Sequence, residues 1–531
     1  MFMRNLFIVV FVLLLLTACE FTAPSWITTL RLPLLNEDYP IINLTTTDNI
    51  DADDYVMYFY TDGIIENASI GEARLRISPN AEGSGPIPLA SEHEEGSTRI
   101  SIVDGESGEG EDYDVRIVYA TVLNGFLNFH FSAVTENVAT VIVTFAEILD
   151  DADEPLVVAI DPHNLPPNNI HAAPLHGYKF TDLERPGIAL EELRFTVEVV
   201  LVDGVSWGSI NSTQGYMRIY YDSPIFFSNI YGWLESFRVD ALDSITDIEL
   251  DYPINIENAV HLNRPELVFV LNNYVGFETA FEATVTAFNT RGESLIYTTI
   301  EVDGMLKQAI EPGLPTQTTL RFGPEVGVDK LMSIAPDRIE ITNAFFVIDQ
   351  RTGAPGFASV GLAYAGDYRA TVPFDFTFRP NQPVMPKELT EVNITGNNRE
   401  DIERHAQGVV MHFTLRNYYT LGARIILFFS SSDDHYLVYN TESIFTDGFS
   451  RLVLYEDRYG QPLHLYAGNI DIPFERSLSI SLGREYLPIF YRHETIYFGM
   501  QIIFDEGHAE IDPRERIQVI SSIEASILVE F

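Results

Sequence analysis

The chain has 531 residues and a net charge of −45, from 77 Asp+Glu against 32 Lys+Arg; so acidic a chain excludes nucleic acid as a partner, because phosphate binding depends on counterions released by a basic face. Hydrophobic residues make up 46% and aromatic residues 12%, which excludes a disordered polyanion and places the charge on folded bodies. Lysine is confined to Lys179, Lys307, Lys330 and Lys387, so the cations are almost all arginine, and the one cysteine leaves neither a disulfide nor a spare thiolate for catalysis or metal binding.

The chain opens on Arg4, an unbroken apolar run over residues 6–16, and then Thr17, Ala18 and Cys19. A basic start, an apolar stretch of this length and a small residue before the cut make a secretory signal. The run is well short of the ~20 residues that a membrane-spanning helix needs. Leu16-Thr17-Ala18-Cys19 resembles the lipobox of bacterial lipoproteins. That resemblance implies removal of residues 1–18, a diacylglycerol thioether on Cys19 and attachment to a bilayer of the bacterial cell envelope, on the periplasmic or the surface face of the outer membrane. Two or three acyl chains hold firmly where one binds only marginally, each buried CH₂ contributing roughly 0.8 kcal/mol. Residues 19–37 are then expected to be the tether.

Beyond the tether, short strand patterns follow one another with turn signals about every 8 to 12 residues, which predicts an all-β body of tandem β-sandwich domains. Residues 72–78 and 114–123 alternate apolar with polar positions; residues 281–287 do the same up to a turn at 289–292, and 294–302 return as the second arm of a hairpin. Helical periodicity is confined to residues 180–193 and 398–406. The Pro- and Asn-rich residues 161–177 read as a linker, and the Pro-marked stretches 311–315 and 379–383 as joints. The expected bodies are sandwiches at 38–160 and 178–310, a small β domain or extension at 316–380, and a last sandwich at 384–531.

Candidate chemistry lies in three kinds of cluster. Acids gather at Asp48, Asp51, Asp53 and Asp54, at Asp104, Glu106, Glu109, Glu111, Asp112 and Asp114, and at Asp150, Asp151, Asp153 and Glu154. Loops of this kind can offer a structural Ca²⁺ its six to eight oxygens, with Asp48, Asp51, Asp53, Asp150, Asp151 and Asp153 as the candidates, although none has EF-hand spacing. The other reading is charged loops that keep strand edges apart. His163, His171 and His176, beside Asp161, carry imidazoles that could ligate zinc, but at a spacing that matches no metal motif. Aromatic residues crowd one stretch as Tyr216, Tyr220, Tyr221, Phe226, Phe227, Tyr231 and Trp233. Tyr220, Phe227, Tyr231 and Trp233 are the candidates for a solvent-facing row that stacks on a sugar or meets a protein, with a place in the core as the alternative at period two.

A faint repeat links residues 267–274 with 410–418: each strand ends in Leu-x-Asn-Tyr before a bend, which would put the Asn amide where it can bond turn backbone. Ile230-Tyr231-Gly232-Trp233-Leu234, residues 245–250, Asn263-Arg264-Pro265-Glu266-Leu267 and the Asn273 bend together resemble a block in uncharacterised envelope lipoproteins of Gram-negative bacteria, where it introduces an immunoglobulin-like sandwich. The cadence is also similar to the water-stress β-sandwich domains of late-embryogenesis proteins. Arg264 departs from the pattern by standing where an acid or Asn is usual. The resemblance implies architecture and no catalytic residue.

No G-x-S-x-G elbow, P-loop, G-x-G-x-x-G after a strand or H-E-x-x-H occurs. The reading that follows is a membrane-anchored, non-enzymatic binding or structural module whose partners are the bilayer, through Cys19, and a polysaccharide or envelope protein. The alternatives are an envelope glycan hydrolase using two carboxylates and a lipid-handling β module with an apolar tunnel.

Overall fold

The computed structural model describes residues 25–40, 50–53, 56–101, 114–210, 212–241, 243–248, 253–290, 295–446, 448–512 and 514–530. Cys19 with its signal segment, Asp48, Asp54 and the acids at 104–112 lie outside the described residues, as do the side chains of Asp51 and Asp53. The chain is all-β, and its sheets are antiparallel and stack face to face as three successive sandwiches.

In the leading sandwich, the long sheet runs Gly356–Ser359, Ile225–Glu235, Asp114–Asn124, Lys179–Thr181, Val138–Leu149, Glu192–Leu201 and His93–Ser101, strand beside strand. A four-stranded sheet of Ile170–Pro174, Phe126–Ser132, Tyr216–Tyr220 and Ile87–Pro88 covers it. Val115 and Ile117, then Ala120 and Val122, are buried along Asp114–Asn124, the period-two pattern changing phase at buried Val118, where the pairing with Ile225–Glu235 shifts register. Phe129 and Phe145 meet between the two sheets, with ring centroids 6.3 Å apart.

The middle sandwich stacks a sheet of Phe237–Asp240, Arg338–Ile348, Thr279–Asn289 and Ile296–Leu306 on one of Ile50–Asp53, Val56–Ile70, Gly361–Pro373, Glu266–Asn273 and Thr316–Phe322. Phe346 and Tyr364 stack between them at 4.0 Å, and Phe269 and Phe281 meet at 5.4 Å. The trailing sandwich pairs Ser25–Tyr39, Ile517–Glu530, Ala406–Asn417 and Phe474–Leu482 against Thr390–Asn393, Thr495–Phe504, Ala423–Ser430, Ser450–Leu454 and Ile444–Phe445. Tyr39 meets Phe498 across that core. A small sheet of Val260–Leu262, Asp375–Phe378 and Gly507–Glu510 joins the middle and trailing sandwiches. The leading and middle ones meet where the Gly276 N–H donates to the Phe357 carbonyl at 2.8 Å. A Cβ on Gly276 would lie 2.4 Å from the Phe357 ring, so only glycine permits that approach.

The middle and trailing sandwiches are variants of one plan, and the repeated Asn marks it. Asn273 accepts from the Val275 N–H at 2.8 Å and donates to the carbonyls of Phe277 and Lys307 at 2.9 and 3.0 Å. Asn417 accepts from the Tyr419 N–H at 2.9 Å and donates to Leu421 and Tyr466 at 2.8 and 2.9 Å. Both are fully buried. Gly323 and Gly483, too, each end a strand that pairs with the Asn strand and precede a short helical turn.

Each of these two sandwiches is completed by a strand from the start of the chain. Val56–Ile70 pairs with Gly361–Pro373, and Ser25–Tyr39 pairs along its length with Ile517–Glu530, Ser25 opposite Glu530. This corrects the expectation of a tether over residues 19–37. Leu30 and Leu32 turn onto the core between exposed Thr29, Arg31 and Pro33, and Pro33 is tolerated because the strand lies at the sheet edge. Residues 161–177 are not a linker: Ile170–Pro174 is a strand on Phe126–Ser132. Residues 316–380 complete the middle sandwich, apart from Gly356–Ser359, which joins the leading one, and Asp375–Phe378 of the joining sheet. The 281–302 hairpin forms as predicted, and of 398–406 all but Ala406, the first residue of the next strand, falls within the helix Gly396–His405. Residues 180–193 are no helix but a turn between two strands, with Gly187 at φ 83°. Within 72–78, strand pairing is confined to Arg76–Ile77.

Candidate functional site

A cleft of about 1360 Å³ opens on the outward face of the middle sandwich's five-stranded sheet. Strand register builds its floor in rows. Arg321 lies opposite Val268, Val268 opposite Arg369, and Arg369 opposite Asp62; beside that row, Glu266 lies opposite Thr371 and Thr371 opposite Tyr60. Inward-facing Leu267, Phe269 and Ala370 alternate with these positions, so burying one face fixes what the other presents.

The charges on this floor are already paired. Arg369 grips Asp62 with two hydrogen bonds of 2.6 and 3.0 Å, and Arg321 donates to Glu266 at 2.7 Å. The Arg369 guanidinium also lies 4.4 Å from the centre of the Tyr60 ring, which neighbours Tyr58 at 6.3 Å. At the cleft edge, Arg264 donates to Asp375 at 2.6 Å and to Glu510 at 3.1 Å, tying this wall to the joining sheet. Burial pushes the Asp375 carboxyl up, but hydrogen bonds from Asn263, His508 and Arg264 outweigh it and hold the carboxyl below its usual range. Arg264, the departure from the lipoprotein-like pattern, is thus what the buried Asp375 requires. Two-pronged ion pairs hold their donors and acceptors in fixed directions, and cleft residues Arg264, Arg321 and Arg369 stand among Asp62, Glu266, Glu325 and Asp367, close to electrical balance.

The aromatic candidates separate. Phe227 is in the core, and Tyr220 belongs to the other sheet of the leading sandwich. Tyr231 and Trp233 do reach the outward face of the long sheet. Tyr231 lies in register between Phe357 and Tyr119, and Trp233 takes the Arg116 guanidinium at 5.1 Å and donates to the Gly353 carbonyl at 3.3 Å.

The acids proposed for calcium have other work. Asp150 accepts from the N–H groups of Ala152 and Glu154 at 2.8 and 2.9 Å, forming the turn before Pro155–Ile160, and Asp153 pairs with Lys179 at 3.0 Å. The Asp150 and Asp153 carboxylates, committed to turn N–H groups and a lysine, do not converge with Asp151 on a cation, which corrects the expectation from the sequence; Asp151 offers Lys179 its backbone carbonyl. His163 and His176 bond the carbonyls of Val138 and Leu123, while His171 lies beside Phe129. Among the described residues, no group of three or more His, Cys, Asp or Glu side chains could hold a metal ion.

Sequence reasoning missed Tyr60, Asp62, Arg321 and Arg369. The outward Asp367, Arg369 and Thr371, alternating with Tyr368 and Ala370, are a readable half-buried strand; their partner Asp62, from far earlier in the chain, is not readable without the fold.

No protein-family model and no curated protein matches the chain. A candidate secreted protein from Parabacteroides distasonis is similar over 54% of this chain and 82% of its own, at 10% identity and a TM-score of 0.30. The VP2 protein of infectious bursal disease virus is similar over 92% of this chain and 81% of its own, at 8% identity and a TM-score of 0.13. Likenesses at these scores carry no functional argument. Among the described residues, no helix is long and apolar enough to cross a membrane.

Proposed function

We propose that this protein is a lipid-anchored lipoprotein of a bacterial envelope, acting without catalysis, whose middle sandwich binds a neutral polysaccharide. The cleft across Asp62, Arg369, Val268 and Arg321 carries the reading. Its pre-paired, nearly balanced charges offer oriented donors and acceptors to hydroxyl groups and little net attraction to an ion, and Tyr58, beside the Tyr60 ring that backs the Arg369 guanidinium, adds a ring face for sugar CH groups. A glycan hydrolase needs a carboxyl kept protonated as its acid. Among the described residues, the carboxyl that burial raises, to about 7, is Glu515, and it does not line this cleft. Lipid carriage needs an enclosed apolar tunnel, and this cleft is open, with the ion pairs of Arg369 with Asp62 and Arg321 with Glu266 on its floor.

Two expected outcomes test the two halves of the proposal. Cys19→Ala moves the protein from the membrane fraction to the soluble fraction and abolishes palmitate labelling; a variant that still labels and stays membrane-bound removes the anchor. In affinity electrophoresis through gels cast with neutral polysaccharides, the Tyr58→Ala, Arg369→Ala double variant loses about tenfold or more in apparent affinity, since it removes a ring face and a charge-assisted donor. Unchanged retardation of that variant in every gel that retards the parent removes the cleft.

A further inference from the structure

A second cleft, of about 790 Å³, lies on the trailing sandwich at the end of Ala423–Ser430. We infer that it is a binding site for an acidic sugar, a hexuronate, whose carboxylate is taken by Arg424 and whose ring stacks on Tyr466. The inference is independent of the middle-sandwich cleft.

Strand pairing places His464 opposite Arg424 and Arg424 opposite Ile503, so the three share the outward face. Arg424 donates to the side-chain Oδ1 of Asn381 at 3.4 Å, and among the described residues no carboxylate forms an ion pair with it. A guanidinium left open on a cleft floor, in a chain where acids outnumber bases 77 to 32, selects a ligand that brings its own anion.

Tyr466 supplies the stacking surface. It is 66% exposed, and its ring is held at steep angles by His464 at 5.1 Å and Phe474 at 5.3 Å. Its carbonyl is fixed by buried Asn417. The facing wall is equally preset: Arg476 donates to the carbonyls of Pro462 and His464 at 3.0 and 2.9 Å and to Asp457 at 2.9 Å, while Asp457 takes the N–H groups of Tyr459 and Gln461.

Asp505 lies across Gly422 to place both carboxylate oxygens 3.1 Å from His464 Nε2, a path that any side chain at 422 would block, since a Cβ there meets Asp505 Oδ2 at 2.2 Å. Asp505 and Glu506 on the same rim accept hydrogen bonds from sugar hydroxyls, and at Arg424 they repel the double charge of one phosphate group more than the single charge of one carboxylate. Asn381 and Gln461 add amides at the edge.

Titration calorimetry of the full chain with trigalacturonate, galactotriose and galactose 6-phosphate tests this. The expected result is trigalacturonate binding about tenfold or more tighter than the other two, reduced by Arg424→Met to the galactotriose level and partly restored by Arg424→Lys. Tyr466→Ala is expected to weaken trigalacturonate and galactotriose alike. Circular dichroism and melting curves confirm that the variants fold. Equal binding of acidic and neutral sugars, tighter binding of the phosphate, no binding of trigalacturonate at millimolar concentration, or an Arg424→Met variant that binds trigalacturonate as the parent does would each overturn the inference. The middle-cleft variants have no part in these outcomes, so the two sites fail separately.

Discussion

Asn417→Ala is expected to destabilise the trailing sandwich by about 3 kcal/mol, more than an ordinary polar-to-alanine change, because it strands one buried donor and two part-buried acceptors at once. The Tyr419 N–H is the exposed nerve of this prediction: Tyr419 is fully buried, so no water can replace the lost acceptor. Asn417→Asp keeps that acceptor but aims a carboxylate at the carbonyls of Leu421 and Tyr466, and is expected to be at least as damaging. Asn273→Ala should do the same to the middle sandwich through Val275, Phe277 and Lys307. Calorimetry that resolves the transitions would decide it. A loss below about 1 kcal/mol at either site would mean that the bends are held by something other than the amide.

The second large effect is a dependence on pH that one substitution should erase. Glu515 is 4% exposed, and burial, with Asp512 adding repulsion, raises its carboxyl from 4.5 to about 7. Below pH 4.5 the group is neutral whether the chain is folded or not, and it costs nothing. As pH climbs from 4.5 through about 7, the unfolded chain releases this proton first, so the unfolded state binds fewer protons and stability falls. Above that window the cost is constant, at most about 3 kcal/mol for a shift of this size. Glu515→Gln keeps the shape without the charge, so its melting temperature should match the parent near pH 4.5 and exceed it increasingly up to pH 8. Parallel curves for the two proteins from pH 4.5 to 8 would show that Glu515 is ionised in the fold without cost.

What could be read from the sequence was local. The alternation around residue 117, the hairpin around residue 290, and the Asn-Tyr pair at both 273 and 417 each carry their information within a dozen neighbouring residues, and all three stand in the fold. The cleft on the middle sandwich was not readable because Asp62 and Arg369 become neighbours only through the pairing of Val56–Ile70 with Gly361–Pro373. The same reason explains the mistaken tether, since Leu30 and Leu32 look unremarkable until Ile517–Glu530 lies alongside. The linker reading of 161–177 failed differently. Pro and Asn there shape turns around a short edge strand, and composition cannot tell a turn inside a sheet from a joint between domains.

The pairing of Ser25–Tyr39 with Ile517–Glu530 makes the order of synthesis part of the folding problem. Ser25–Tyr39 must wait until Ile517–Glu530 has been made before its partner exists, and Val56–Ile70 waits for Gly361–Pro373. Throughout that interval two long strands carry bare backbone edges, open to any passing strand. Contacts so distant along the polymer make for slow closure, and Ile517–Glu530 acts as the clasp that locks Ser25–Tyr39, made long before it, in place.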